Sequence, residues 1–157
     1  LTGTVVVEAG ASIRSGTTIE GPALIKSGAD VGPNAYVRGA TVVGEDCRVG
    51  HAVEIKNSVL FDGARVPHLS YVGDSVIGAD VNLGAGTNVA NLRHDGEPVR
   101  TLVNGETHDT DRRKFGVVCG DNVKTGINTS LNPGVKLPTN HRTRPGEVVF
   151  EDPGETT

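Results

Sequence analysis

The stretch Ala23–Ile55, "ALIKSGADVGPNAYVRGATVVGEDCRVGHAVEI", carries an aliphatic residue at every sixth position: Ile25, Val31, Val37, Val43, Val49 and Ile55. Counting back toward the amino terminus adds Val7, Ile13 and Ile19, so nine aliphatics follow one another at the same interval. An α-helix repeats every 3.6 residues or so and a half-buried strand every second residue, and neither matches that beat. Two positions before each aliphatic stand Val5, Ala11, Thr17, Ala23, Ala29, Ala35, Thr41, Cys47 and Val53, all small or β-branched. Three positions after it come turn formers such as Gly10, Gly16, Gly28, Asn34 and Asp46. Each hexad therefore reads as a short strand plus a turn. A hexad cannot bury its aliphatic alone, whereas hexads stacked around a triangular prism place every such residue inside and let each backbone pair with the coils above and below. The period predicts an all-β chain wound as a parallel β-helix of about seven coils, with three hexads in each.

The beat returns at Ile77, Leu83 and Val89, and again at Val117, Val123, Thr129 and Val135, after five-residue steps from Ile55 to Leu60 and from Val72 to Ile77. One segment escapes it. Residues 92–116 are rich in charge and turn formers and read as a loop or hairpin arm projecting from the prism, either a tolerated surface insertion or a functional loop. The expected organisation is a β-helix over 1–149, interrupted by the loop at 92–116 and followed by a frayed tail at 150–157. The chain starts at Leu1 rather than at a methionine, which reads as the C-terminal portion of a longer polypeptide.

Composition narrows the classes of function. Aromatics make up 3% of the 157 residues and Met and Trp are absent, so the core must be aliphatic. A net charge of −4 exerts no general pull on nucleic acid or anionic lipid, and any bound anion needs a local basic site. No apolar run reaches the length that spans a membrane. Cys47 and Cys119 lack the spacing of a zinc site or a disulfide scaffold, which suits a reducing, cytoplasmic setting.

Several polar residues interrupt the pattern. His68 follows Pro67 and is bracketed by the two irregular steps; it reads either as a corner histidine satisfied by backbone groups or as a general base, since imidazole titrates at about 6.5. Arg38 and Lys56 are separated by three full hexads, one coil of the prism, and each directly follows a core aliphatic. They should stack in one column together with Glu20, where their charges repel unless an anion or a carboxylate intervenes. A phosphate clamp and a neutralised, solvated edge both fit. Gly84, Ala85 and Gly86 leave the backbone open either to a ligand or to tight corner packing. Asn91 reads as a turn residue ending a strand.

The stretch Arg65–Gly96, "RVPHLSYVGDSVIGADVNLGAGTNVANLRHDG", together with "YVRG" (36–39), "EIKNS" (54–58) and "GDNVKTGIN" (120–128), resembles the acetyltransferase domain of the bifunctional N-acetylglucosamine-1-phosphate uridylyltransferase/glucosamine-1-phosphate acetyltransferases. The form "GAGTNVANLRHDG", "RRKFG" and "KTGIN" is similar to the archaeal sugar-1-phosphate nucleotidylyltransferase/acetyltransferases, and the likeness runs from Val31 to Gly146. The resemblance implies a left-handed coil, a nucleotidylyltransferase domain preceding the β-helix, and homotrimers with sites between neighbouring prisms. It also implies transfer of acetyl from acetyl-CoA to the amine of glucosamine 1-phosphate or galactosamine 1-phosphate, directly and without an acyl-enzyme, for UDP-N-acetylhexosamine synthesis. The residues matching the family motif carry its roles: His68 as the catalytic base, Arg38, Lys56 and Tyr71 on the sugar phosphate, Asn82 on the sugar, Ala85 on acetyl-CoA, and Asn91 on both cofactor and catalysis. No metal is implied.

The chain departs from the family at three places. Glu97 stands where bacterial members have a phosphate-binding lysine, with Arg100 nearby as a substitute; Ile127 replaces a serine and Pro145 an alanine that meet coenzyme A. Two other functions compete. Related nucleotidylyltransferases carry β-helices that only oligomerise or regulate. Zinc carbonic anhydrases share the helix, but need three histidine ligands including a close pair, and His51, His68, His94, His108 and His141 are scattered in sequence.

Overall fold

The computed structural model describes residues 1–154, and among them the chain is all β, with twenty short strands. Eighteen of them form the three faces of a parallel β-helix. Face one has seven strands, Val5–Val7, Ala23–Ile25, Thr41–Val43, Val59–Leu60, Val76–Ile77, Val118–Cys119 and Lys136–Leu137. Face two has Ser12–Ile13, Asp30–Val31, Arg48–His51 and Arg65–His68, continued by single bridges through Asn82, Lys124 and Arg142. Face three runs from Thr18–Glu20 through Tyr36–Arg38, Glu54–Lys56, Tyr71–Gly73, Asn88–Val89 and Ser130–Leu131 to Val148–Val149. The hexapeptide-repeat prism expected from the period is the architecture found.

Register shows where the repeat changes. Asp30 pairs with Arg48, three full hexads on, whereas Arg48 pairs with Arg65 and Tyr71 with Asn88, each one position short of that. Val76 pairs with Val118 across the long insertion. The two short steps and the insertion all fall at the corner between faces three and one. Backbone amides there cannot all meet the carbonyl of the next coil, and buried hydroxyls replace the missing partners. The Ser58 amide donates to Thr41 Oγ1 (3.4 Å), the Ser75 amide to Ser58 Oγ (3.0 Å) and the Val117 amide to Ser75 Oγ (3.0 Å). A second hydroxyl ladder, Thr87 with Thr125 (2.7 Å) and Thr129 with Thr143 (2.8 Å), lines the corner between faces two and three.

The inward aliphatics Ile19, Ile25, Val31, Val37, Val43, Val49 and Ile55 are fully buried, and the sequence continues beyond the short steps with Leu60, Val66, Val72, Ile77 and Leu83. Val7, in the first of the described coils, is an exception at 38% exposure. Every coil contributes the same small set of inward side chains, so the core has no centre and loses stability wherever one is shortened.

Residues 92–116 form an arm built on a β-hairpin. Its strands, Arg100–Val103 and Glu106–Asp109, pair antiparallel, and the turn residues Asn104 and Gly105 both adopt positive φ, as a two-residue hairpin turn requires. The base of the arm lies on the prism: Val99 is buried and Thr101 Oγ1 donates to the Gly134 carbonyl at 2.9 Å. The tail expected to fray from residue 150 is tied at Asp152, whose carboxylate accepts the Lys136 amide at 2.6 Å and pairs with Lys136 Nζ at 3.2 Å. The end of that expected tail, residues 155–157, lies outside the described residues.

Truncating Ile55 to alanine empties a fully buried position in the middle of the stack. We expect Ile55→Ala to lower the unfolding free energy by about 2–5 kcal/mol, read from urea denaturation.

Candidate active site

Stacking brings Arg38 and Lys56 into register, with Glu20 next in the column, as the three-hexad spacing requires. The two cations do not face each other bare. Arg38 Nε donates to Glu54 Oε1 at 2.8 Å and its guanidinium lies 5.5 Å from the centre of the Tyr36 ring, while Tyr36 in turn donates to Glu20 at 2.8 Å. Lys56 Nζ reaches both oxygens of Asp74, at 3.0 and 2.8 Å. Carboxylates from neighbouring strands and turns thus separate the charges, the neutralised edge that the sequence left open. The hydrogen bond that Arg38 donates to Glu54, with the charge of that carboxylate, outweighs burial and raises the Arg38 pKa above its ordinary value.

Asp74 has no assigned role in the motif reading, yet it is the hub of the site. It sits in the turn after Tyr71–Gly73 with φ 53°, one coil from Asn57, whose φ is 46°. Asn57 Nδ2 donates to Asp74 Oδ1 at 2.8 Å, and Asn91 Nδ2 donates to Asp74 Oδ2 at 2.5 Å and to Tyr71 Oη at 3.0 Å. Burial works against the Asp74 anion, but hydrogen bonds from Lys56, Asn57 and Asn91, together with the Lys56 charge, outweigh it and hold the carboxyl below its ordinary value. The signal in the sequence was a turn aspartate placed one position short of three hexads after Asn57, which becomes a stacked neighbour only once the short coil is recognised.

The candidate residues divide between the edges of face three. Lys56, Asp74 and Asn91 occupy the corner toward face one, and His68 ends the face-two strand Arg65–His68 at the opposite corner. Tyr71 lies on the face between them. The short run of chain from His68 to Asp74 caps their separation at roughly 20 Å. The His68 side chain is exposed, and its backbone carbonyl accepts Ser70 Oγ at 2.7 Å and the Gly86 amide at 3.2 Å. Ala85 stacks on it one coil later, followed in the same corner column by Ile127 and Pro145. Leu69, next to His68, holds φ 49°, a left-handed conformation that costs an aliphatic residue roughly 1–2 kcal/mol. Asn82 stands on face two, half-buried, bridging Arg65 and Lys124.

Outside the Lys56 corner, face three carries a groove of about 350 Å³ whose walls include Tyr71, Asn88, Asn91 and Ser130. It shares Ala90, Leu92 and Asn132 with a cleft of about 380 Å³ at the root of the arm, into which Arg93, His94 and Arg100 contribute. Glu97 is not in the cleft wall; Arg100 is. The histidines are less scattered than their numbers suggest, since His51 pairs with His68 across adjacent strands. Among the described residues no three His, Cys, Asp or Glu side chains gather as a metal set. Burial pushes the Cys47 thiol up to about 11 and the Cys119 thiol up to about 12, so neither supplies a thiolate nucleophile at neutral pH.

Asp74 favours the folded state only while ionised. Its folded pKa lies below the ordinary 3.8, so its contribution is complete above that value and is lost as pH falls through the folded pKa. In acid titrations followed by thermal melting, the unmutated chain should lose more stability below about pH 4 than Asp74→Asn does.

A family model described as the GMPPB C-terminal domain matches residues 19–144. A bifunctional sugar-1-phosphate nucleotidylyltransferase/acetyltransferase of Sulfurisphaera tokodaii is 49% identical over 152 residues, covering 97% of this chain and 38% of that protein. The bifunctional protein GlmU of Methanococcus maripaludis is 51% identical over 140 residues, covering 89% and 34%, and that of Methanococcus vannielii is 55% identical over 100 residues, covering 64% and 24%. The chain therefore spans well under half the length of these relatives. Among solved structures, the polysialic acid O-acetyltransferase OatWY aligns over 94% of this chain and 75% of its own, with a TM-score of 0.52 and 17% identity, a likeness of fold alone. No helix is long and apolar enough to cross a membrane among the described residues. The matched span, covering the same coils that carry Arg38, Lys56, His68, Asp74 and Asn91, makes this chain a member of the GMPPB C-terminal domain family.

Proposed function

We propose that this chain is an acetyl-CoA-dependent N-acetyltransferase domain acting on an amino-sugar 1-phosphate, glucosamine 1-phosphate or galactosamine 1-phosphate. The observation that carries the reading is the Lys56, Asp74, Asn91 and Tyr71 cluster, of which Tyr71 and Asn91 line the face-three groove: it offers a phenol and an amide in the groove wall, with a cation at the adjoining corner, to one small polar ligand. High identity to a nucleotidylyltransferase/acetyltransferase along nearly the whole chain supports it. A structural β-helix has no need of such a half-buried polar cluster at one corner.

In this reading the substrate amine attacks the thioester carbonyl, the carbon–nitrogen bond forms, the carbon–sulfur bond breaks and coenzyme A leaves as its thiol. The amine proton passes to His68, whose exposed imidazole is open to accept it. Lys56 and Tyr71 meet the phosphate, with Arg38 and the arm residue Arg100 adding charge, and Asn82 contacts the sugar. Ala85, stacked beside His68 and lacking a long side chain, leaves room for the pantetheine arm, while Asn91 aligns acetyl group and acceptor. The longer protein would supply the sugar nucleotide through an upstream nucleotidylyltransferase domain, in the cytoplasm, where the two buried thiols stay reduced.

In the same reading the chain is a homotrimer, and face one supports such self-association. Its outward positions Val6, Leu24, Val42, Val59, Val76 and Val118 stack in one column down six coils, an apolar stripe on a straight wall. A second copy seated there would flank the corner of Lys56, Asp74 and Asn91 and put each site at the edge of a subunit interface. Placing lysines at Val42 and Val59 should shift the species seen by light scattering from trimer to monomer. A trimer that survives both substitutions would move the interface to another face.

The decisive assay follows acetyl-CoA consumption by the purified chain with both amino-sugar 1-phosphates and their unphosphorylated forms. Transfer should require the phosphate, and His68→Ala should lower kcat by about 10²–10⁴-fold while the oligomer persists. Turnover near that of the unmutated chain would remove His68 as the base; no transfer to any acceptor would leave an assembly module.

A further inference from the structure

The geometry points to Asp74 as a positioning residue for the transfer reaction: its carboxylate turns the Asn91 carbonyl oxygen toward the groove, frees the Tyr71 hydroxyl to donate, and anchors the Lys56 ammonium. This rests on the acetyltransferase reading and adds to it a residue that acts through three others.

The assignment follows from what each group can give. An ionised carboxylate only accepts, so the Asn91 atom 2.5 Å from Asp74 Oδ2 must be the amide nitrogen, which fixes the amide orientation. The second hydrogen of that nitrogen goes to Tyr71 Oη at 3.0 Å. Both donors of Asn91 are then used, and its Oδ1 has no partner among the described residues. Tyr71 Oη accepts from Asn91, so its own proton remains for a ligand. A site with one acceptor, one O–H donor and one ammonium is complementary to an amine beside a phosphate. With the amide reversed, Asn91 would set an oxygen against the carboxylate and present N–H groups to the acceptor amine.

Other corner aspartates do different work. Asp62 accepts the Glu45 amide at 2.8 Å and Asp121 accepts the Ala79 amide at 2.8 Å, each satisfying backbone in the neighbouring coil. The Asp74 carboxylate receives side chains alone, from Lys56, Asn57 and Asn91, and its own side chain is only 7% exposed. Gly73 belongs to the same device. A Cβ there would collide with Tyr71 Oη and lie 2.7 Å from Asn91 Nδ2, so glycine is what lets the phenol and the amide meet.

The test compares the unmutated chain with Asp74→Asn and Gly73→Ala in steady-state acetyl transfer to glucosamine 1-phosphate and galactosamine 1-phosphate, with side-chain amide NMR of Asn91. We expect Asp74→Asn to lower kcat by roughly tenfold or more without raising KM for the sugar phosphate, because Lys56 loses its counter-charge while Asn91 loses its orientation. The Asn91 amide signals should shift and lose protection from exchange. Gly73→Ala, which keeps the carboxylate, should repeat the kcat loss and decides the matter if Asp74→Asn does not fold. A kcat within twofold of the unmutated chain in whichever variant folds, or Asn91 signals that do not move, would overturn the assignment. No transfer by the unmutated chain would overturn the acetyltransferase reading instead, and the amide signals would still report whether Asp74 orients Asn91.

Discussion

Parallel pairing of each coil with the next is the constraint from which the rest of the molecule follows. Because Asp30 must sit on Arg48 and Arg48 on Arg65, a residue's neighbours are those one coil away, and side-chain chemistry is organised in columns. A column repeats whatever it holds at about 4.8 Å, the distance between paired strands. Aliphatics in such a column make a core; like charges make a problem that something must resolve.

The corner between faces three and one shows how it is resolved. Arg38 and Lys56 stack directly, and each takes a carboxylate from a neighbouring strand or turn, Glu54 for one and Asp74 for the other. The carboxylates do more than cancel charge. Their fixed oxygens hold the ammonium, the guanidinium and the Asn91 amide, so Asn91 and Tyr71 in the groove wall have their hydrogen-bonding sense set before any ligand arrives. The same corner absorbs the two shortened hexads and the root of the arm. Backbone that cannot follow the regular ladder needs local polar partners, and a corner already furnished with hydroxyls, amides and carboxylates can supply them.

The arm and the apolar stripe complete this arrangement from either side. The hairpin base, held by Val99 and Thr101, brings Arg93, His94 and Arg100 to the end of the groove. The apolar column on face one runs beside the same corner. Ligand binding, the arm and self-association in the proposed trimer would therefore meet along one edge of the prism, with His68 across face three from them.

The hexad beat alone determined the β-helix, its coil count, the two short steps and the stacking of Arg38 on Lys56, because a solenoid's contacts are nearest-neighbour and a fixed period converts sequence distance into spatial distance. His68, Tyr71 and Asn91 were legible as candidates from their motif. The role of Asp74 was not, nor was the pairing of His51 with His68, because both depend on where a coil loses one residue and on which way a turn side chain points. The hairpin's seat on the prism and the hold on Asp152 were also invisible, since neither obeys the period. Only the tertiary structure decided which carboxylate meets which cation and which atom of Asn91 faces the groove, because those choices are made by hydrogen bonds between side chains a whole coil apart, whose directions no spacing records.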